Sequence, residues 1–143
     1  MDFFRIQINR NLEIWDLLDK NLPYVYISNF RPLNSIEWSS IDLRIDEIQL
    51  KSLSTRSINL DIKMELREVK DVLKMNSNFL DLFQFESDIP DSLIPDRLPK
   101  DQKESILIQN GFKHKFELEF EQLTISSIDS AFINKIKTNY NNS

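Results

Sequence analysis

Three stretches of the chain alternate apolar and polar residues, lose that alternation by one position, and then resume it. The skipped pairs are Asp46-Glu47, Arg67-Glu68 and Glu121-Gln122, in the stretches 41–50, 62–69 and 116–125. Strict alternation is typical of a strand with one buried face, because successive side chains point to opposite sides of a sheet. One extra residue would turn the second half of each strand to the wrong face unless a β-bulge absorbs it. The spacing therefore predicts bulged strands in one sheet.

The predicted fold class is α+β: a bulged, mainly antiparallel sheet, strongly curled or sandwich-like, with an N-terminal amphipathic helix packed on it. That helix would run from Asn11, which can cap it, to Lys20, with its apolar stripe centred on Trp15. Further strands are expected over 4–8, 24–30 and from 112 onward, and a short helix over 129–140. The stretch 69–85 fits strand or helix, and we favour strand as far as Met75 because the bulge spacing repeats there.

A chain of 143 residues fits one domain, so 1–143 is predicted to form a single core. Within it, the segment 86–104 combines proline and aspartate with few apolar residues. Proline removes backbone donors and carboxylates resist burial, which predicts an exposed acidic loop. The polar tail 139–143 is expected to fray.

The amino-acid composition excludes many classes of catalytic site. The chain has no cysteine, one glycine (Gly111) and one histidine (His114). Phosphate-binding loops and nucleophile elbows need glycine, and thiolate or two-histidine sites need residues that this chain lacks. A formal match to a metal-nuclease pattern, Pro90-Asp91 with Asp101-Gln102-Lys103, lies in the proline-broken loop and is treated as chance. We therefore predict no enzyme and no cofactor or metal.

His114 alternates in phase with Phe112 and Phe116. This phase predicts a hydrogen-bonded core residue more readily than a catalyst.

The net charge of −5 disfavours nucleic acid, which proteins bind by neutralising phosphates, and favours a basic protein partner. Acids cluster in the exposed loop and on one strand face, and aromatic residues elsewhere offer interface anchors. The predicted partner-binding residues are Asp88, Asp91, Asp96, Asp101, Glu117, Glu119, Glu121, Tyr24, Tyr26 and Trp38. The chain shows no signal-peptide pattern and no apolar run near the roughly 20 residues that span a bilayer. A cytoplasmic protein without membrane contact is therefore expected.

The segments 40–45 (SIDLRI), 58–71 (INLDIKMELREVKD) and 116–125 (FELEFEQLTI) resemble the small immunity proteins of bacterial polymorphic and contact-dependent toxin systems. The resemblance covers about half of the chain and lies in the pattern of charged, alternating strands. It implies a non-enzymatic protein that binds one cognate toxin and blocks it. Two alternatives stay open: a carrier of a small apolar ligand inside a curled sheet, and an accessory subunit of a larger assembly.

Overall fold

The computed structural model describes residues 1–30, 60–88, 105, 109 and 111–141. The strands are β1 (Asp2–Gln7), β2 (Tyr24–Phe30), β3 (Leu60–Glu65), β4 (Phe79–Phe85), β5 (Phe112–Glu119) and β6 (Gln122–Ser127). The helices are a 3₁₀ helix, η1 (Asn11–Leu17), and two α-helices, α1 (Leu66–Leu73) and α2 (Ser130–Asn141).

The six strands form one sheet in the order β1-β6-β5-β4-β2-β3. Every described pairing is antiparallel, as the alternation predicts. The predicted strong curl or sandwich is wrong, because these strands lie side by side in one open sheet that does not close on itself.

One face of the sheet, here called the helix face, carries the main core. Buried residues of the strands and of all three helices meet there: Val25, Ile27, Leu82, Phe116 and Ile125 with Ile14, Val69, Val72, Leu73 and Ile133. The other face, here called the opposite face, carries a smaller aromatic cluster of Tyr26, Phe83, Phe85 and Phe112.

The predicted N-terminal amphipathic helix is also wrong. Residues from Asn11 to Leu17 form a 3₁₀ helix that packs chiefly against α1, and the helix that lies along β1 and β6 is the C-terminal α2. No α-helix reaches Lys20 because Gln84 binds the backbone of Asp19. The N–H of Asp19 donates to Gln84 Oε1 at 3.0 Å, and its C=O accepts from Gln84 Nε2 at 2.9 Å. Gln84 thus binds the backbone groups that a helix reaching Lys20 would need.

The stretch after β3 is a helix and not a bulged strand. Arg67 and Glu68 lie in the first turn of α1, where the Glu68 carboxylate accepts the N–H of Glu65 at 3.4 Å. This capping box starts the helix, and burial of Val69, Val72 and Leu73 on one side stabilises it. The preference for strand through Met75 was therefore wrong.

Two of the three residue pairs that interrupt the alternation, Arg67-Glu68 and Glu121-Gln122, lie within the described residues, and neither forms a bulge within a strand. Glu121 lies in the turn between β5 and β6, and Gln122 begins β6. The third pair, Asp46-Glu47, lies outside the described residues.

The sheet has its bulges elsewhere, at Asn29 in β2 and at Lys113 in β5. Asn29 has a positive φ of 55° at the register shift between Ile27 and Phe30. Lys113 is the extra residue where Gln84 pairs with His114 but Phe85 pairs with Phe112. A bulge changes which face the next side chain occupies, so Phe112 packs on the opposite face while His114 lies on the helix face.

Candidate functional site

The predicted partner-binding residues fall in several parts of the molecule. Asp91, Asp96, Asp101 and Trp38 lie outside the described residues. Asp88 follows β4 and pairs with Lys63 at 3.2 Å. The rest lie on β2 (Tyr24 and Tyr26) and along β5 and its turn (Glu117, Glu119 and Glu121). The structure therefore brings only the last three residues together.

The two tyrosines belong to the aromatic cluster of the opposite face. Tyr26 is only 1% exposed, and its ring centroid lies 6.0 Å from that of Phe83. Tyr24 is half-buried against the same cluster. Both rings stabilise the sheet in this conformation, so we do not place them in the candidate site.

The three glutamates differ in their surroundings. Glu117 Oε2 lies 3.0 Å from Lys115 Nζ on the same strand. Glu119 and Glu121 are exposed, and Glu121 Oε2 accepts a hydrogen bond from Gln7 Nε2 at 3.1 Å. Two exposed carboxylates therefore lie at the turn that joins β5 to β6, one at the end of β5 and one in the turn itself.

The turn itself holds an aromatic residue in a strained conformation. Glu119 pairs with Gln122, which leaves Phe120 and Glu121 to make the connection. Phe120 has φ +56°, a left-handed conformation that bulky residues rarely adopt and that hairpin turns usually assign to glycine or asparagine. Its backbone N–H donates to the C=O of Asn78, which ties the turn to the start of β4.

A second aromatic ring lies beside Phe120. Phe79 pairs with Glu119 across β4 and β5, and the rings of Phe79 and Phe120 meet edge to face with centroids 5.1 Å apart. The two residues are 40% and 59% exposed, although large apolar side chains gain free energy by leaving water. We define Phe79, Glu119, Phe120 and Glu121 as the hairpin tip.

The other end of the same hairpin holds a buried polar network. His114, 1% exposed, has its Nε2 2.9 Å from Asp19 Oδ2 and its Nδ1 2.6 Å from Ser127 Oγ. Its ring stacks on Phe132 of α2, with centroids 3.7 Å apart. The network therefore connects β5, β6, α2 and the segment after η1.

The hydrogen bonds of Ser127 orient the ring of His114. Ser127 Oγ accepts the N–H of Asp129 at 2.9 Å and donates to the C=O of Lys113 at 3.1 Å. Because a hydroxyl has one proton, its remaining lone pair faces Nδ1 of His114, which donates its N–H. The other ring nitrogen, Nε2, faces the carboxylate of Asp19.

Asp19 supplies that carboxylate in its ionised form. Burial raises the pKa of Asp19, but hydrogen bonds from His114 and from the N–H of Asn21 outweigh it, together with the charges of His114 and Lys113. The net pKa of Asp19 lies below its usual value.

The order Ser127–His114–Asp19 has the composition of a hydrolytic triad, but its geometry does not support hydrolysis. The nucleophile of such a triad must reach a substrate, and its base must be free to accept the hydroxyl proton. Ser127 is buried and its proton is donated to Lys113. The arrangement positions elements of the fold.

No group of three or more His, Asp or Glu residues in the described part of the chain is placed to hold a metal ion. Likewise, no helix among these residues is long and apolar enough to cross a membrane. Comparison with protein-family models, with curated proteins and with solved structures finds no match. Function is therefore argued from the geometry of the chain.

Sequence reasoning identified the acids of the hairpin tip but not its aromatic residues. Phe120 follows the alternation of β5, which by itself predicts a buried side chain, and Phe79 begins an aromatic-rich stretch of the kind that forms a core. A two-residue turn centred on Phe120-Glu121 would have reassigned Phe120, but no Asn-Gly or Asp-Gly signal marks it. Asp19 and Ser127 gave no signal, because their partner His114 is remote in sequence.

Proposed function

We propose that this protein is a non-enzymatic protein-binding module, an immunity or inhibitor protein that blocks a basic toxin or effector through the hairpin tip. One observation supports the proposal above all others: an exposed aromatic ring on a strained turn, between exposed carboxylates, contacts a second exposed ring at the start of β4.

The aromatic pair has the properties of an interface anchor. Interface energy is concentrated in a few large aromatic or arginine residues that enter a pocket of the partner. Phe120 could be buried on binding without repacking the sheet, because its ring already projects from the turn and is held by Phe79. Backbone strain of this kind costs roughly 1–3 kcal/mol and tends to occur at binding and catalytic sites. A glycine at position 120 would avoid it, so a role for the ring would explain its presence.

The carboxylates specify the charge of the partner. Glu119 and Glu121 are exposed on either side of Phe120, so they would surround the anchored ring with negative charge. Opposed charges speed association and select among partners. A toxin that attacks nucleic acid carries basic surface for its substrate, and an acidic tip would fit such a surface by the same physics.

The resemblance to toxin-immunity proteins supports the same class of function. The alternative of an apolar-ligand carrier depended on a curled sheet enclosing a cavity, and the open strand order removes that premise. No observation on the described residues favours an accessory subunit over an inhibitor.

The test is affinity capture from cells that express the protein naturally, using matched columns of wild-type protein, Phe120→Gly and Ile128→Ser. Phe120→Gly removes the ring while permitting the turn. Ile128→Ser removes an exposed apolar side chain just after β6, at the opposite end of the hairpin. We expect a basic protein that wild type and Ile128→Ser retain and Phe120→Gly loses.

The captured protein is then produced separately, and its complex is measured by light scattering and its association rate at low and high salt. A one-to-one complex that forms more slowly as salt rises supports the proposal. If the Phe120→Gly column retains the partner equally well, the interface lies elsewhere on the protein. If the association rate does not change with salt concentration, Glu119 and Glu121 do not contribute to association.

A further inference from the structure

The opposite face of the sheet has a groove above β6, beside the aromatic cluster. Cross-strand register places Ser126 between Phe3 and Lys115, and Thr124 between Arg5 and Glu117. The small hydroxyl side chains of β6 therefore lie between longer side chains of β1 and β5. The result is an open groove of about 260 Å³ lined by Met1, Phe3, Arg5, Lys115, Thr124 and Ser126.

Two cations line this groove. Arg5 is exposed, and its guanidinium carbon lies 5.1 Å from the centroid of the Phe3 ring. No acidic side chain among the described residues forms an ion pair with Arg5. Lys115 lies on the other side of the groove, where its ammonium pairs with Glu117 at 3.0 Å and lies 5.6 Å from the Phe83 ring centroid. Glu117, which pairs with Thr124 across β5 and β6, is thus engaged by Lys115, and Arg5 is the cation that can receive an anion in the groove.

The remaining lining supplies apolar surface and hydrogen-bond donors. Met1 and Phe3 are 61% and 53% exposed, so a ligand that covers them gains the free energy of burying apolar surface. The hydroxyls of Thr124 and Ser126 can donate to an anion. Guanidinium groups bind carboxylates through two parallel hydrogen bonds, so Arg5 suits a planar anion of that kind.

We propose that this groove binds a small carboxylic acid that carries an apolar group. The carboxylate would be held by Arg5 and the β6 hydroxyls, and the apolar group would cover Met1 and Phe3. The volume of the groove is slightly below the range of about 300–1,000 Å³ that is usual for drug-sized ligands. A molecule of the size of 3-phenylpropionate therefore fits better than a long-chain lipid. This site is separate from the hairpin tip and does not depend on the function proposed for it.

The experiment is calorimetric titration of the protein with 3-phenylpropionate and, in parallel, with 3-phenylpropan-1-ol. The alcohol keeps the ring and chain but lacks the charge. We expect saturable one-to-one binding of the acid and binding of the alcohol that is weaker by roughly tenfold, the effect of losing a charge-assisted hydrogen bond. Equal affinity for the two compounds, or no saturable binding of the acid, would overturn the proposal.

Three variants locate the binding. Arg5→Gln should weaken binding of the acid by about tenfold, while Lys135→Gln, which removes an exposed charge on α2, should leave it unchanged. Thr124→Leu should also weaken binding, because the added bulk fills the groove without changing any charge. It therefore tests the same site if Arg5→Gln folds poorly. Backbone amide shifts in NMR spectra should change at residues 124 and 126 of wild type. Binding that survives both Arg5→Gln and Thr124→Leu would rule out this groove.

Discussion

The two ends of the β5–β6 hairpin have opposite physical properties. At one end, His114 and Ser127 are buried and hydrogen-bonded to groups from several elements. At the other, Phe120 is exposed and its backbone is strained. The strands that connect them are continuous and fully paired.

This difference separates what stabilises the fold from what is available to a partner. Polar groups taken out of water are costly unless each finds a hydrogen bond, so the buried end tolerates little change. Apolar groups left in water lose the free energy of burial, so the exposed end gives the fold little stability. A change at the first end should therefore destabilise the fold strongly, and a change at the second should affect binding more than stability.

The largest expected effect follows from His114→Ala. The substitution leaves the carboxylate of Asp19 without its hydrogen-bond partner, leaves a lone pair of Ser127 unsatisfied, and removes the stacked ring from Phe132. Removing a buried ring and leaving a buried polar group unpaired cost about 3–5 kcal/mol together. Urea denaturation should show a loss of that size in the free energy of unfolding, against about 1 kcal/mol or less for Phe120→Ala. Similar losses for the two variants would remove the distinction between the ends.

A smaller effect, and one that depends on pH, follows from Asp19→Asn. The folded-state pKa of Asp19 lies below its usual value, so the ionised carboxylate stabilises the folded state. That contribution is present above the unfolded pKa of about 3.9 and is lost as pH falls through the folded value.

We expect Asp19→Asn to cost about 1–2 kcal/mol at neutral pH, less than a fully buried pair because Asp19 is partly exposed. Unfolding measured at several pH values should show the difference from wild type shrinking below about pH 4. Asp71→Asn, which changes an exposed acid on α1, serves as the control. A difference that persists unchanged in strong acid would contradict the ion pair.

The strands were largely predictable from the sequence because their information is local. The stretch 24–30 was predicted from Pro23 and from its β-branched and aromatic residues, and β2 has these bounds. The helix over 66–73 was not predicted. Its apolar residues have the spacing of a helix, but Val69, Leu73 and Met75 also continue the alternation of a strand. Only the capping pair Glu65 and Glu68 favours helix over strand. The 3₁₀ helix was missed because Gln84, remote in sequence, binds the backbone of Asp19.

The candidate site depended even more on non-local geometry. Glu119 and Glu121 were identified by charge alone, whereas Phe79 joins them only through the pairing of β4 with β5. The bulge at Lys113 separates Phe112 from the face that carries His114, which simple alternation cannot indicate. Sequence reasoning therefore found the charges of the hairpin tip but not the surface that they form.

The strain in the turn is expected to produce a difference of about 1 kcal/mol. Phe120→Ala and Phe120→Gly both remove the ring and its contact with Phe79. Only glycine adopts a φ of +56° without a steric penalty, and the left-handed conformation costs other residues roughly 1–2 kcal/mol. Since glycine also raises the entropy of the unfolded chain, we expect Phe120→Gly to be more stable than Phe120→Ala by about 1 kcal/mol. Equal thermal and urea stabilities would show that the turn is unstrained.

The smallest effect on stability should come from the acids of the hairpin tip. We expect the double variant Glu119→Gln, Glu121→Gln to change the free energy of unfolding by less than about 0.5 kcal/mol, because both residues are exposed and surface charges contribute little. The hydrogen bond from Gln7 to Glu121 can also be accepted by a glutamine side-chain oxygen. The matched control is Asp2→Asn, Glu86→Gln, which removes two exposed acids near the opposite end of the hairpin.

Association with the captured partner should separate the two double variants where stability does not. At low ionic strength the tip variant should associate about tenfold more slowly than wild type, and the control should associate at nearly the wild-type rate. At high salt the three rates should converge, since screening removes the steering that the tip carboxylates provide. If the tip variant instead loses more than about 1 kcal/mol of stability and keeps its association rate, then Glu119 and Glu121 stabilise the fold. In that case both ends of the hairpin would be structural.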